Sequence, residues 1–126
     1  MAKILIADDD PDFVEVMRTI LASEGYDVVS AKDGDEALRI MREDGVDVIL
    51  LDIMMASILD GVSVAHEMQK DPTLKRIPIV MLSSIISSPH ASMFPTDEYI
   101  PMDVWITKPV QPDDLLQKVA RLIERD

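Results

Sequence analysis

The run Val48-Ile49-Leu50-Leu51, followed directly by Asp52, constrains this chain more than any other stretch. Four consecutive large aliphatic residues leave no polar face, so a strand made of them must be covered on both sides. Strands of that kind belong to parallel sheets with helices above and below. The strand reads as Val46 to Asp52 and ends in a bare carboxylate. It therefore delivers Asp52 to the rim of the sheet.

The rest of the chain supplies such a sheet. Lys3 to Ala7 is a first apolar strand, and Asp8-Asp9-Asp10 follows it directly. Pro11 opens a helix to about Glu24, with Asp10 as its N-cap, because an aspartate before proline avoids helical angles and accepts orphan amides. Phe13, Val14, Met17, Ile20 and Leu21 form the apolar face, and Gly25 ends the helix. Tyr26 to Ala31 is a second strand, and a helix runs from about Asp35 to Glu43 with Ala37, Leu38 and Met41 inward. After the central strand comes a loop over Ile53 to Asp60. A third helix spans about Val62 to Lys70, with Val62, Ala65 and Met68 inward. Pro78 to Leu82 is a fourth buried strand ending at Ser83-Ser84. Pro89, Pro95 and Pro101 exclude a long regular helix between Ile85 and Asp103, so any helix there is short and irregular. Val104 to Thr107 is the fifth strand, Lys108-Pro109 a turn, and Pro112 to about Arg125 the last helix, with Leu115, Leu116, Val119, Leu122 and Ile123 on its apolar face. Strands alternating with helices imply an α/β fold with a parallel sheet, helices on both faces and right-handed crossovers. The 126 residues, 48% apolar and 29% charged, suit one domain over 1–126.

Charge and composition exclude several function classes. With 24 acidic and 12 basic residues the net charge is -12, a surface that repels nucleic-acid phosphates and anionic lipid. There is no cysteine, hence no disulfide framework and no thiolate metal site. No secretory signal and no run long enough to span a membrane is visible, which makes the cytoplasm the expected location.

In an open parallel sheet, ligands bind at the carboxyl ends of the strands, near the point where strand order reverses. The strand ends here carry Asp8 and Asp9, Asp52, Ser83 and Lys108. Clustered carboxylates attract a divalent cation, and hard oxygen donors suit magnesium, which often binds phosphate as well. A carboxylate can also be a phosphoryl acceptor. In that reading Asp52 is the nucleophile, Asp8 and Asp9 hold the metal with help from the Met54 backbone carbonyl, and Lys108 and the Ser83 hydroxyl hold phosphate oxygens.

These residues carry a resemblance. The segments Ile4 to Pro11, Asp47 to Met55, Asp60-Gly61, Pro78 to Ser83 and Lys108-Pro109, in this order and spacing, resemble the response-regulator receiver domain of two-component signalling, along essentially the whole chain. The resemblance implies a flavodoxin-like doubly wound sheet of strand order 2-1-3-4-5. It implies a phosphoacceptor at Asp52 charged by a histidine kinase or phosphotransfer protein, with Mg2+ on Asp8 and Asp9. Ser83 becomes the switch hydroxyl, Lys108 the phosphate-binding lysine with a cis peptide to Pro109, and Trp105 the aromatic switch residue. Such a protein signals through an effector or a homodimer and is not an enzyme with turnover on other substrates; since no DNA-binding or catalytic segment follows, output is expected to pass through a partner. Two features depart from the pattern: Ala56 stands where a proline is usual, in a loop one residue longer than usual, and the Ile85 to Asp103 segment is long and broken by prolines. Met54 and Ile85 flank the place where water would attack the phosphorylated aspartate, and their apolar side chains position water poorly, which implies slow self-hydrolysis.

Simpler readings stand beside these. Asp8-Asp9-Asp10 alone is a helix-capping cluster, Lys108 alone a surface lysine, and Trp105 alone a packing residue. Met54 and Met55 alone are core or lip residues. His66 and His90 read as exposed or capping. Two rival functions are a phosphorylation-independent interaction module and a magnesium-dependent phosphatase of the haloacid dehalogenase kind. The latter usually carries a second acid two residues beyond its nucleophile, where this chain has Met54.

Overall fold

In the computed structural model, which describes residues 2–52, 60–83, 103–107 and 110–124 (the side chains of 60–62 and 83 excepted), the buried run lies in the middle of a five-stranded parallel sheet. In chain order the elements are β1 (Lys3–Ala7), α1 (Pro11–Ala22), β2 (Asp27–Ala31), α2 (Gly34–Glu43), β3 (Val48–Asp52), α3 (Asp60–Lys70), β4 (Ile79–Ser83), β5 (Val104–Thr107) and α4 (Pro112–Glu124). The sheet order is β2-β1-β3-β4-β5, the flavodoxin-like arrangement.

Val48, Ile49, Leu50 and Leu51 are all fully buried. Alternation along the strand sends Val48 and Leu50 to one face, where they meet Val14, Met17 and Leu21 of α1 and Leu115, Val119 and Leu122 of α4. Ile49 and Leu51 face the other way, onto Ala37 and Met41 of α2 and Val64, Ala65 and Met68 of α3. The helical faces read from the sequence are buried or partly buried where the side chains are described, that of Val62 lying outside them, with two differences. Val64 joins the α3 stripe, and His66 is half-buried rather than exposed. An apolar helix stripe is wide enough to hold adjacent positions, and His66 sits at its margin. Leu50→Ala is expected to cost about 2–5 kcal/mol of stability, because a cavity between both layers cannot collapse; a denaturant titration reads the loss.

Local chemistry sets the element ends. The Asp10 carboxylate accepts from the amides of Asp12 and Phe13 at the start of α1. At α2 the Asp33 carboxylate accepts from the Glu36 amide, while the Glu36 carboxylate reaches back to the Lys32 amide, a reciprocal cap. Gly25 and Gly45, with φ of 88° and 75°, turn the chain after α1 and α2 in the left-handed region that glycine tolerates. Beyond α3 the Asp71 carboxylate accepts the Thr73 amide and the Arg42 guanidinium of α2, and the Thr73 bond foremost holds its carboxyl below the usual range.

The strand order places a crevice. The chain leaves β1 for β2 on one side, then returns to β3 on the other side of β1. The connections after β1 and β3 therefore diverge, and the space between them opens above the carboxyl ends of these two strands.

Candidate phosphoryl-acceptor and metal site

Asp8 follows the last residue of β1, and Asp52 is the last residue of β3. The two strands are paired in register, Ala7 against Leu51, so the next position on each brings a carboxylate to the crevice. Asp8 and Asp52 are 3% and 6% exposed, whereas Asp9 is exposed at the rim. One carboxylate oxygen from each of Asp8, Asp9 and Asp52 lies within 4.8 Å of the others.

Asp8 is held on two sides. Its amide donates to the Ala31 carbonyl of β2 at 3.0 Å, which carries the ladder one rung beyond the end of β1. Its Oδ1 accepts from the Asp10 amide at 2.9 Å. The three consecutive aspartates thus divide the work. Asp8 is folded into a short turn beneath the rim, Asp9 stands at the rim, and Asp10 caps α1.

The oxygen set fits a hard cation. A separation of 4.8 Å is on the scale of the oxygen shell around magnesium, whose ligands sit at about 2.1 Å. No histidine or cysteine joins the group among the described residues, which disfavours softer transition metals. Three carboxylates this close also repel one another, and a divalent cation relieves that repulsion.

Beside the carboxylates a groove of about 570 Å³ runs between α1 and the end of β2, lined among others by Asp8, Asp9, Val14, Arg18, Ser30 and Lys32. Arg18 crosses it, donating to the Val28 carbonyl at 3.0 Å and to Ser30 Oγ at 3.2 Å, with Glu15 3.4 Å from its Nε.

The remaining expected site residues are seen in part. Ser83 ends β4 one residue beyond Leu82, the partner of Asp52, so its backbone stands at the same edge. Its Cα partner on β5 is Thr107, directly before Lys108. Met54, Ile85, Lys108 and Pro109, with the Ile53 to Asp60 loop up to residue 59 and the segment before Asp103, lie outside the described residues. Trp105 pairs with Met81 and packs, partly buried, against the cluster under α2 and α3. The sequence reading did not single out Lys32; the only signal for it is its place one residue after a strand that pairs with β1.

Comparison with known proteins adds the following. Residues 4–120 match the family described as the response regulator receiver domain. A probable transcriptional regulator, ycf27, of Guillardia theta is 34% identical over 123 residues, covering 98% of this chain and 46% of that protein. The transcriptional regulatory protein GlrR of Escherichia coli K12 is 33% identical over 124 residues, covering 98% of this chain and 27% of that protein. The chain thus spans about half the length of such relatives, or less. Among solved structures, the signal receiver domain of a histidine kinase from Syntrophus aciditrophicus superposes with a TM-score of 0.86 at 28% identity, covering 98% and 91% of the two chains. The receiver domain of the sensor histidine kinase PA1611 from Pseudomonas aeruginosa, described with a magnesium ion coordinated in its active site cleft, gives a TM-score of 0.82 at 26% identity, with 98% of each chain covered.

Proposed function

Because the chain belongs to the response regulator receiver domain family, the phosphoacceptor module of two-component systems, we propose that Asp52 accepts a phosphoryl group from a histidine kinase or a phosphotransfer protein. The observation that carries this reading is a buried carboxylate at the end of β3 with oxygens of Asp8 and Asp9 within 4.8 Å. The family match over 4–120, and a single sheet with a packed layer on each face, support reading the chain as one receiver domain.

An oxygen of ionised Asp52 attacks phosphorus from its rim position. The bond from phosphorus to the donor nitrogen breaks, the donor imidazole leaves with that electron pair, and the phosphoryl group remains on Asp52 as an acyl phosphate. Asp8, Asp9 and Asp52, with the Met54 carbonyl, would hold Mg2+. Magnesium, when bound, offsets negative charge on the phosphoryl oxygens. Lys108 and Ser83, at the ends of β5 and β4, supply a cation and a hydroxyl to those oxygens. Burial of Asp8 and Asp52 keeps competing water away from the acceptor.

The added group brings about -1.5 to -2 charge at neutral pH. Drawing Ser83 and Lys108 toward it biases the connections after β3 and β4, and the Trp105 face of β5, between two states. The readers are an effector protein or a second copy of the chain. The charge of -12 disfavours direct nucleic-acid or membrane contact by this domain. No helix among the described residues is long and apolar enough to cross a membrane, in keeping with action in the cytoplasm.

The test is incubation with acetyl phosphate and magnesium followed by intact mass spectrometry. One phosphoryl group per chain is expected, and none when the metal is chelated before the donor is added. A chain that gains none, from acetyl phosphate or from a panel of phosphorylated kinases, overturns the reading.

A further inference from the structure

The ladder between β1 and β2 does not stop where the strands end. Ala7 faces Ala31, and the Asp8 amide still bonds the Ala31 carbonyl. The next facing pair is Asp8 and Lys32. Strand spacing puts their backbones about 4.8 Å apart. Alternation sends both to the α1 side of the sheet, as with Ile4, Ile6 and Val28 below them. Both side chains accordingly line the groove that also holds Val14 and Arg18 of α1.

Lys32 is fixed at its root and unengaged at its tip. Its amide is held by the Glu36 carboxylate at 2.9 Å, within the cap of α2. Its ammonium makes no hydrogen bond or ion pair among the described residues. Arg18, the other cation of the groove, is occupied with Val28, Ser30 and Glu15. A solvated positive charge, tethered beside Asp8, therefore sits in the field of the three carboxylates without neutralising any by contact.

We propose that Lys32 sets the cation affinity of the acidic site, its ammonium acting as a mobile counter-charge that a divalent ion must displace from the field of Asp8, Asp9 and Asp52. This rests on the metal-site reading above. A unit charge within about one Debye length (about 10 Å at 0.1 M salt) of a divalent ion, through water-rich surroundings, weakens binding by about twofold. The effect belongs to affinity alone, since Lys32 touches neither the acceptor nor the reacting atoms.

Magnesium titration by calorimetry tests this on the intact chain. At about 0.1 M ionic strength Lys32→Gln should tighten Mg2+ binding about twofold and Lys32→Glu about fourfold, and both gains should shrink at about 1 M salt. Lys75→Gln, an exposed lysine in the turn before β4 at the opposite end of the sheet, should leave affinity unchanged. Unchanged or weakened binding in Lys32→Gln, or an equal gain in Lys75→Gln, overturns the inference and leaves the site intact. A wild-type chain that takes up no magnesium overturns the site reading, and this inference with it.

Discussion

Asp52→Asn is expected to abolish phosphoryl transfer, to below the detection limit of intact mass spectrometry with acetyl phosphate and magnesium. The amide nitrogen and oxygen of asparagine share one lone-pair system and carry no charge, so the attack on phosphorus has no nucleophile. The substitution is nearly isosteric, and Asp52 is 6% exposed at the end of a strand whose other residues are buried. The fold therefore survives, and circular dichroism should be unchanged while labelling is lost. The alternatives within reach are Asp8 and Asp9, which share the cluster. Asp9, being exposed, is the more accessible of the two. A peptide map that finds phosphate on either of them in Asp52→Asn would sink the assignment of the acceptor.

Asp8→Asn separates the two roles of the cluster. Its Oδ1 still accepts the Asp10 amide, so the turn into α1 is kept. One of three negative charges around the cation is gone, and magnesium affinity should fall by at least about tenfold, since each of two or three carboxylates contributes well over 1.4 kcal/mol to holding a divalent ion. Thermal melts with and without the ion read the difference. The parent gains about 2.7 kcal/mol at 100 times its Kd by linkage, and the variant gains little at that concentration. Equal magnesium response in both proteins would remove Asp8 from the metal shell.

Much of this was legible from residues alone, for identifiable reasons. Val48 to Leu51 has no polar position, so only a strand covered on both sides suits it, and the sheet followed. Parallel strands put all their carboxyl ends on one edge, so Asp8 and Asp52 met across the β1–β3 pairing although 44 positions separate them. The cap at Asp10 was readable because a residue before proline avoids helical angles and an aspartate side chain accepts the orphan amides of a helix start. Other features depend on register, which periodicity does not specify. Nothing in Ala31-Lys32-Asp33-Gly34 says that Lys32 continues the ladder against Asp8; it reads there as a turn residue. Val64 belongs to the buried face of α3, and the helix begins at Asp60 rather than Val62, a boundary that periodicity does not set. The holding of Asp8 Oδ1 by the Asp10 amide left no trace in composition or spacing.

Arg18 has a consequence for how this molecule meets its own copies. In β2 the residues with odd numbers bond inward to β1, as the Asp27 amide and the Ala31 carbonyl do, so the Val28 carbonyl points off the free side of the sheet. That is the group Arg18 covers, reaching from α1 past Ser30. A bare strand margin invites another chain to add itself by backbone bonding. Here the margin carries a guanidinium already bound, so a neighbour in a crowded cell would have to break that contact and bury its charge before a first rung could form. Addition of a further strand at β2 is thereby disfavoured.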